Sequence, residues 1–127
     1  MKTRDYRDLV VWQRAVDLVA VSYQLAEQLP ASEQFGLTAQ IRRAAASVPG
    51  NIAEGNARQS RGDYLHHLAI ARGSLAEVCS HVELACRLNY LQPGDVRKFK
   101  ALSMRTQRLL YNLIEALKVQ PASHRPP

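Results

Sequence analysis

No stretch of this sequence approaches the roughly 18 to 20 consecutive apolar residues that a membrane-spanning helix needs. A membrane partner is therefore not expected. The opening residues, Met1-Lys2-Thr3-Arg4-Asp5-Tyr6-Arg7-Asp8, are charged and lack the apolar centre of a secretory signal. Cysteine is scarce, with only Cys79 and Cys86. They stand seven residues apart on one expected helix, about 10 Å along its axis, which is too far for a mutual disulfide. Neither belongs to a CxxC or Cys/His ligand set. Both are expected as reduced core residues, which points to a cytoplasmic protein. With six Gly and six Pro in 127 residues, collagen-like chains are excluded, and so are disulfide scaffolds.

What remains is an ordinary globular balance, 46% hydrophobic and 22% charged. The length suits one domain with one core. We expect that domain over residues 1–118 and a flexible tail over 119–127, where three Pro interrupt all periodicity.

The periodicity is helical throughout. Val11, Ala15, Leu18, Ser22, Leu25 and Leu29 recur at steps of three and four, with Trp12, Val16, Val19, Tyr23 and Ala26 alongside. A first helix over about 9–29 follows, with Asp8 as N-cap and Pro30 as its stop. Leu37, Ile41, Ala45, Val48 and Ile52 mark a second helix over about 38–55, kinked by Pro49 and stopped by Gly55. Asn56 to Arg61 reads as a linker in which Ser60 and Asp63 resemble a capping box. Leu65, Leu68, Arg72, Leu75, Cys79, Val82 and Cys86 carry the third helix, widened by Tyr64, Ala71, Val78 and Ala85. It ends near Asn89-Tyr90. After a turn around Pro93-Gly94, the fourth helix shows Val96, Phe99, Ser103, Thr106, Leu110, Leu113 and Leu117. No run alternates with period two. The expected fold is all-α, an antiparallel up-down-up-down four-helix bundle.

Catalytic signatures are missing. A di-metal bundle needs Glu-x-x-His on two helices and two further inward Glu; Glu77 with His81 occurs once and at the wrong spacing. No Gly-rich loop forms a phosphate cradle. No catalytic residue, metal or cofactor is expected.

Two polar features stand out. Gln40, Arg43, Ser47, Asn51 and Glu54 form a stripe on the second helix, and Ser74, Glu77 and His81 a row on the third. The rows can meet as a structural network, with Arg43 pairing Glu77 or Glu54 and Asn51 tying helix to helix, or they can form a subunit interface. The second feature is charge. Thirteen of the 17 basic residues are Arg, whose planar fork suits phosphate. Residues 95–118 hold six basic side chains against Asp95 and Glu115, a local charge of +4. Arg97, Lys98, Lys100, Arg105 and Arg108 cluster opposite the apolar stripe. Arg58 and Arg61 add charge in the linker, and Arg4 and Arg7 at the start. Such a face is either solvated or a contact for the nucleic-acid backbone. No aromatic residues interleave with these cations for base stacking.

Several strings, in order, resemble one family. They are Leu9-Val10-Val11-Trp12-Gln13-Arg14-Ala15, then Leu29-Pro30, Glu33 and Phe35-Gly36-Leu37, then Gln40-Ile41-Arg42-Arg43-Ala44-Ala45. The most distinctive is Ser47-Val48-Pro49-Gly50-Asn51-Ile52-Ala53-Glu54-Gly55, and Gly73-Ser74-Leu75-Ala76-Glu77 follows. The likeness, over about residues 6–117, is to four-helix-bundle proteins encoded in 23S ribosomal RNA intervening sequences. It implies a homopentameric ring and no enzyme. Accessory variability proteins of diversity-generating retroelements resemble the same fold and act with a reverse transcriptase and nucleic acid. The leading expectation is a non-catalytic oligomer that binds RNA or DNA through backbone charge. The alternative is a scaffold that binds another protein and has no nucleic-acid role.

Overall fold

A computed structural model of the chain describes residues 5–119 and folds them into four helices: α1 (Val10–Glu27), α2 (Leu37–Ala57), α3 (Arg61–Arg87) and α4 (Arg97–Lys118). Single 3-10 turns at Tyr6–Asp8 and Ala31–Glu33 precede α1 and α2. Among the described residues there is no strand. Arg4 and most of the expected tail lie outside the described residues.

Each helix packs closely against the two helices adjacent to it around a square, α1 on α2, α2 on α3, α3 on α4 and α4 on α1, while the backbones of the diagonal pairs stay farther apart. That is the up-down-up-down bundle that short connections dictate. The seam Val11, Ala15, Leu18, Ser22, Leu25 and Leu29 is buried along α1, and Leu37, Ile41, Ala45, Val48 and Ile52 along α2. Each fully buried Leu or Ile contributes about 1.5–3 kcal/mol relative to its exposed state. Val16 and Tyr23 turn out to be exposed, so the stripe on α1 is narrower than expected and takes in Val21 instead.

On α3 the buried seam is Tyr64, Leu68, Ala71, Leu75, Val78, Val82 and Ala85, while Arg72 is exposed and Cys79 and Cys86 are half-buried. The expected seam is thus rotated toward α2. Small residues allow this closeness. At Gly55 an added Cβ would sit 2.9 Å from the His67 Cβ and 3.0 Å from the Tyr64 ring. Gly55 is therefore no helix stop: α2 continues to Ala57, and Gly55 is the place where α3 presses against it. The helix also runs through Pro49, which has no N–H to give the Ala45 carbonyl.

The caps refine the boundaries. Leu9, not Asp8, precedes α1; Asp5 caps the Tyr6–Asp8 turn instead, accepting from the Arg7 N–H. Arg7 also donates two side-chain hydrogen bonds to Asp5 and holds its carboxyl down at about 2. At α3 the Ser60 Oγ accepts from the Asp63 N–H at 3.0 Å, as the expected box requires. Only Arg58, Gln59 and Ser60 separate α2 from α3. Asn89, with φ 66°, closes α3 in a Schellman motif whose Tyr90 N–H donates to the Ala85 carbonyl. Pro93 lies in the following turn, four residues ahead of α4 rather than at its first position.

Candidate nucleic-acid interface

The buried residues of α4 are Phe99, Ser103, Thr106, Leu110, Ile114 and Leu117, at helical steps of three and four. That spacing fixes the opposite arc to solvent. Arg97, Lys98, Lys100, Arg105 and Arg108 all lie on it and are exposed. They share the solvent side of one helix, spread over an arc of about 160°. None of them forms an ion pair among the described residues; the one pair on α4 is Lys118 with Glu115, at 3.3 Å.

The linker arginines are different. Arg58 donates to Glu54 at 2.7 Å, and Arg61 is half-buried with its Nη1 shielded from solvent. They also lie far from Arg97. Since α3 and α4 are antiparallel, Arg97 sits near the end of α3 and Arg61 at its start, about 40 Å apart along a 27-residue helix. The seven candidates thus make one five-residue face and a separate pair.

The polar rows meet across α2 and α3 through Ser47, Ser74 and Asn51, the last of these as expected. The Ser47 and Ser74 hydroxyls are 2.8 Å apart. Asn51 Nδ2 donates to both the Ser47 carbonyl and its Oγ, at 2.9 and 3.0 Å. Asn51 Oδ1 lies 3.3 Å from His67 Nδ1 and, being acceptor-only, accepts a hydrogen bond from that nitrogen. His67 Nε2 is 3.9 Å from Glu54. Gln40 and Arg43 are exposed and outside this node. The expected pairing of Arg43 with Glu77 or Glu54 does not form, because each acid has a partner one turn away on its own helix: His81 for Glu77 and Arg58 for Glu54.

Sequence reasoning missed three residues here. His67 joins the polar node, although only its neighbour His66 is solvent-facing. Arg72 is a surface cation rather than a seam residue. Tyr111 lies 56% exposed on the cationic arc of α4, so an aromatic does interleave with the charges. Its position three residues after Arg108, off the apolar rhythm, was the available signal. Burial pushes the Cys79 and Cys86 thiols above their ordinary range, and the Ser103 hydroxyl facing Cys79 offsets part of this. These are poor nucleophiles. Among the described residues no group of three His, Cys, Asp or Glu could hold a metal, and no helix is long and apolar enough to cross a membrane.

The family model of the 23S rRNA-intervening sequence protein matches residues 7–112, from the first turn to the cationic arc of α4. The chain belongs to this family. Among solved structures, this member of the 23S rRNA-intervening sequence family is similar to a protein of unknown function from the S23 ribosomal protein family of Bacteroides thetaiotaomicron. The two share 26% identity with a TM-score of 0.77, over 84% of this chain and 96% of the other. No curated protein matches. The shared fold carries the bundle and the order of its helices.

Proposed function

We propose that the protein is a non-catalytic, cytoplasmic homo-oligomer, a pentameric ring, that binds RNA or DNA through the phosphate backbone along α4. The observation that carries this reading is the set of five exposed cations on α4 with no carboxylate partner among the described residues. A face left positive over about three helical turns attracts a polyanion, and release of its counterions supplies the affinity. Repetition around a ring lets weak contacts act together.

Support for contact between copies lies outside α4, on α2, α3 and the turns beside them. Phe35 is 90% exposed, and Leu84 and Leu88 are each almost half exposed. Exposed Gly50 and Gly73 have nothing within 4 Å of where a Cβ would stand, so the protomer itself does not require glycine there. Exposed Ala46 and Ala57 flank Gly50 on α2. Apolar and small exposed residues suit a packed subunit contact.

The test is filter binding of mixed RNA and DNA at several salt concentrations, with native mass by light scattering. Neutralising Arg97, Lys98 and Lys100 together should weaken binding alike for unrelated sequences and flatten the salt slope by roughly one unit per lost phosphate contact. A stable monomer at micromolar concentration overturns the ring. No binding by the wild type at low salt overturns the nucleic-acid role and leaves a protein-binding scaffold.

A further inference from the structure

Of the five tyrosines, four are engaged within the protomer. Tyr6 packs edge-on against Trp12 with ring centroids 5.1 Å apart, and Tyr23 has the Arg42 guanidinium over its ring at 5.4 Å. Tyr64 donates to Asn56 and Tyr90 to Glu33. Tyr111 alone has neither a ring contact nor a side-chain hydrogen bond among the described residues, and more than half of it is exposed.

Its position matters more than its exposure. At 100° per residue, Arg97, Lys100, Met104, Arg108 and Tyr111 fall within an arc of about 80° on α4. Tyr111 lies inside this arc, between the directions of Lys100 and Arg108, and about 4.5 Å beyond Arg108 along the axis. A further cation comes from the neighbouring helix. Cys79 of α3 faces the Ser103 hydroxyl of α4, which sets the register of the two antiparallel helices. Seven residues back from Cys79 is Arg72, and eight residues on from Ser103 is Tyr111. The two rises, about 10.5 and 12 Å, bring Arg72 level with the ring. Arg72 is exposed and without an ion pair among the described residues.

We propose that this part of α4 is a site for single-stranded nucleic acid, in which a base stacks on the Tyr111 ring while Arg108 and Arg72 hold the flanking phosphates. The proposal rests on the nucleic-acid reading above and narrows it. A duplex keeps its base faces stacked inside and offers this arc only phosphates, for which an aromatic ring has no use. A single strand offers both phosphates and an open π-face, and stacking accepts any base. An apolar protein partner fits worse, since it would bury unpaired Arg and Lys without counter-charge.

The experiment uses the full-length chain and fluorescence anisotropy with a labelled oligouridylate and a duplex of equal length at matched salt. The expected result is tighter binding of the single strand. Tyr111→Ala should weaken it by about five- to hundredfold, the range for one lost stacking contact. The salt slope should stay unchanged, as should duplex binding. Tyr111→Phe, which keeps the ring, should bind like wild type. Arg72→Gln with Arg108→Gln should instead flatten the salt slope. An unchanged melting temperature in Tyr111→Ala shows that any loss is not unfolding. Equal affinity for strand and duplex, with Tyr111→Ala silent, overturns the single-strand site and leaves backbone binding by α4 standing. Failure of wild type to bind either probe at low salt overturns the broader reading and this one with it.

Discussion

The Tyr90 hydroxyl donates to Glu33 Oε2 at 3.0 Å, joining the end of α3 to the turn before α2. The other carboxylate oxygen of Glu33 accepts the Leu37 N–H at 3.0 Å, one of the donors left open at the start of α2. One carboxylate therefore fixes both ends of the connection. Glu33→Ala should cost about 1 kcal/mol through loss of the cap alone, measured by urea denaturation. The hydrogen bond to Glu33, aided by burial, raises the Tyr90 phenol above its usual pKa of 10.0. The neutral phenol is the donor, so this contribution is complete below the unfolded tyrosine value and is lost as pH rises through the raised one. Spectroscopic titration should show one late-ionising tyrosine, and Glu33→Gln should bring it earlier. An unchanged titration in the variant would mean that the contact does not persist in solution.

The Ser47, Asn51 and Ser74 node should behave as a unit. Ser47→Ala leaves the Ser74 hydroxyl without this partner and should cost about 1–2 kcal/mol. Ser47→Ala with Ser74→Ala should cost less than the two singles added. Arg43→Ala and Glu77→Ala, both on exposed side chains, should stay within about 0.5 kcal/mol. A loss of several kcal/mol at Arg43 would indicate a contact made outside the protomer.

Glycine substitutions should split by position. Gly55→Ala forces a Cβ to within 2.9 Å of His67 Cβ, backbone-anchored and unable to swing away, and should cost about 1–3 kcal/mol despite its better helix propensity. Gly50→Ala and Gly73→Ala meet open space within the protomer. Each should raise protomer stability by about 0.5–1 kcal/mol. If copies pack on this face, the same two variants should weaken assembly, seen as a lower native mass on dilution.

Thr106 on α4 is fully buried, and its hydroxyl has no hydrogen-bond partner among the described residues. Valine has nearly the same shape without the oxygen. Thr106→Val should therefore be neutral or stabilising by up to about 1 kcal/mol in thermal denaturation. Clear destabilisation would show that the hydroxyl is satisfied in solution.

The helices, their order and most of the core were legible in the sequence, because steps of three and four leave a direct imprint of which side faces inward. Rotation of α3 was not. Leu65, Arg72 and Cys79 share a helical row as regular as that of Leu68, Leu75 and Val82, and only the close approach at Gly55 decides between them. The polar rows were placed on the right faces, and Asn51 does tie α2 to α3, but the pairing expected of Arg43 does not form. Long residues such as Glu54 and Glu77 reach a partner on their own helix at less entropic cost than one across the groove. Tyr111 contradicts the expectation that no aromatic interleaves with the cations; its angular offset from Leu110 and Leu113 marks it as a surface group.

The three-residue connection Arg58–Ser60 also bears on the order in which the chain finds its fold. Closing so short a loop costs little entropy, so α2 and α3 can zip into a hairpin early. Contact between α1 and α4 must wait, because all of α2 and α3 intervenes in the chain. Truncations inside the hairpin, such as Ile52→Val or Leu68→Ala, should slow refolding, while Leu110→Ala should mainly hasten unfolding. The rate-limiting ensemble would then be half a bundle, with the cationic helix docking last.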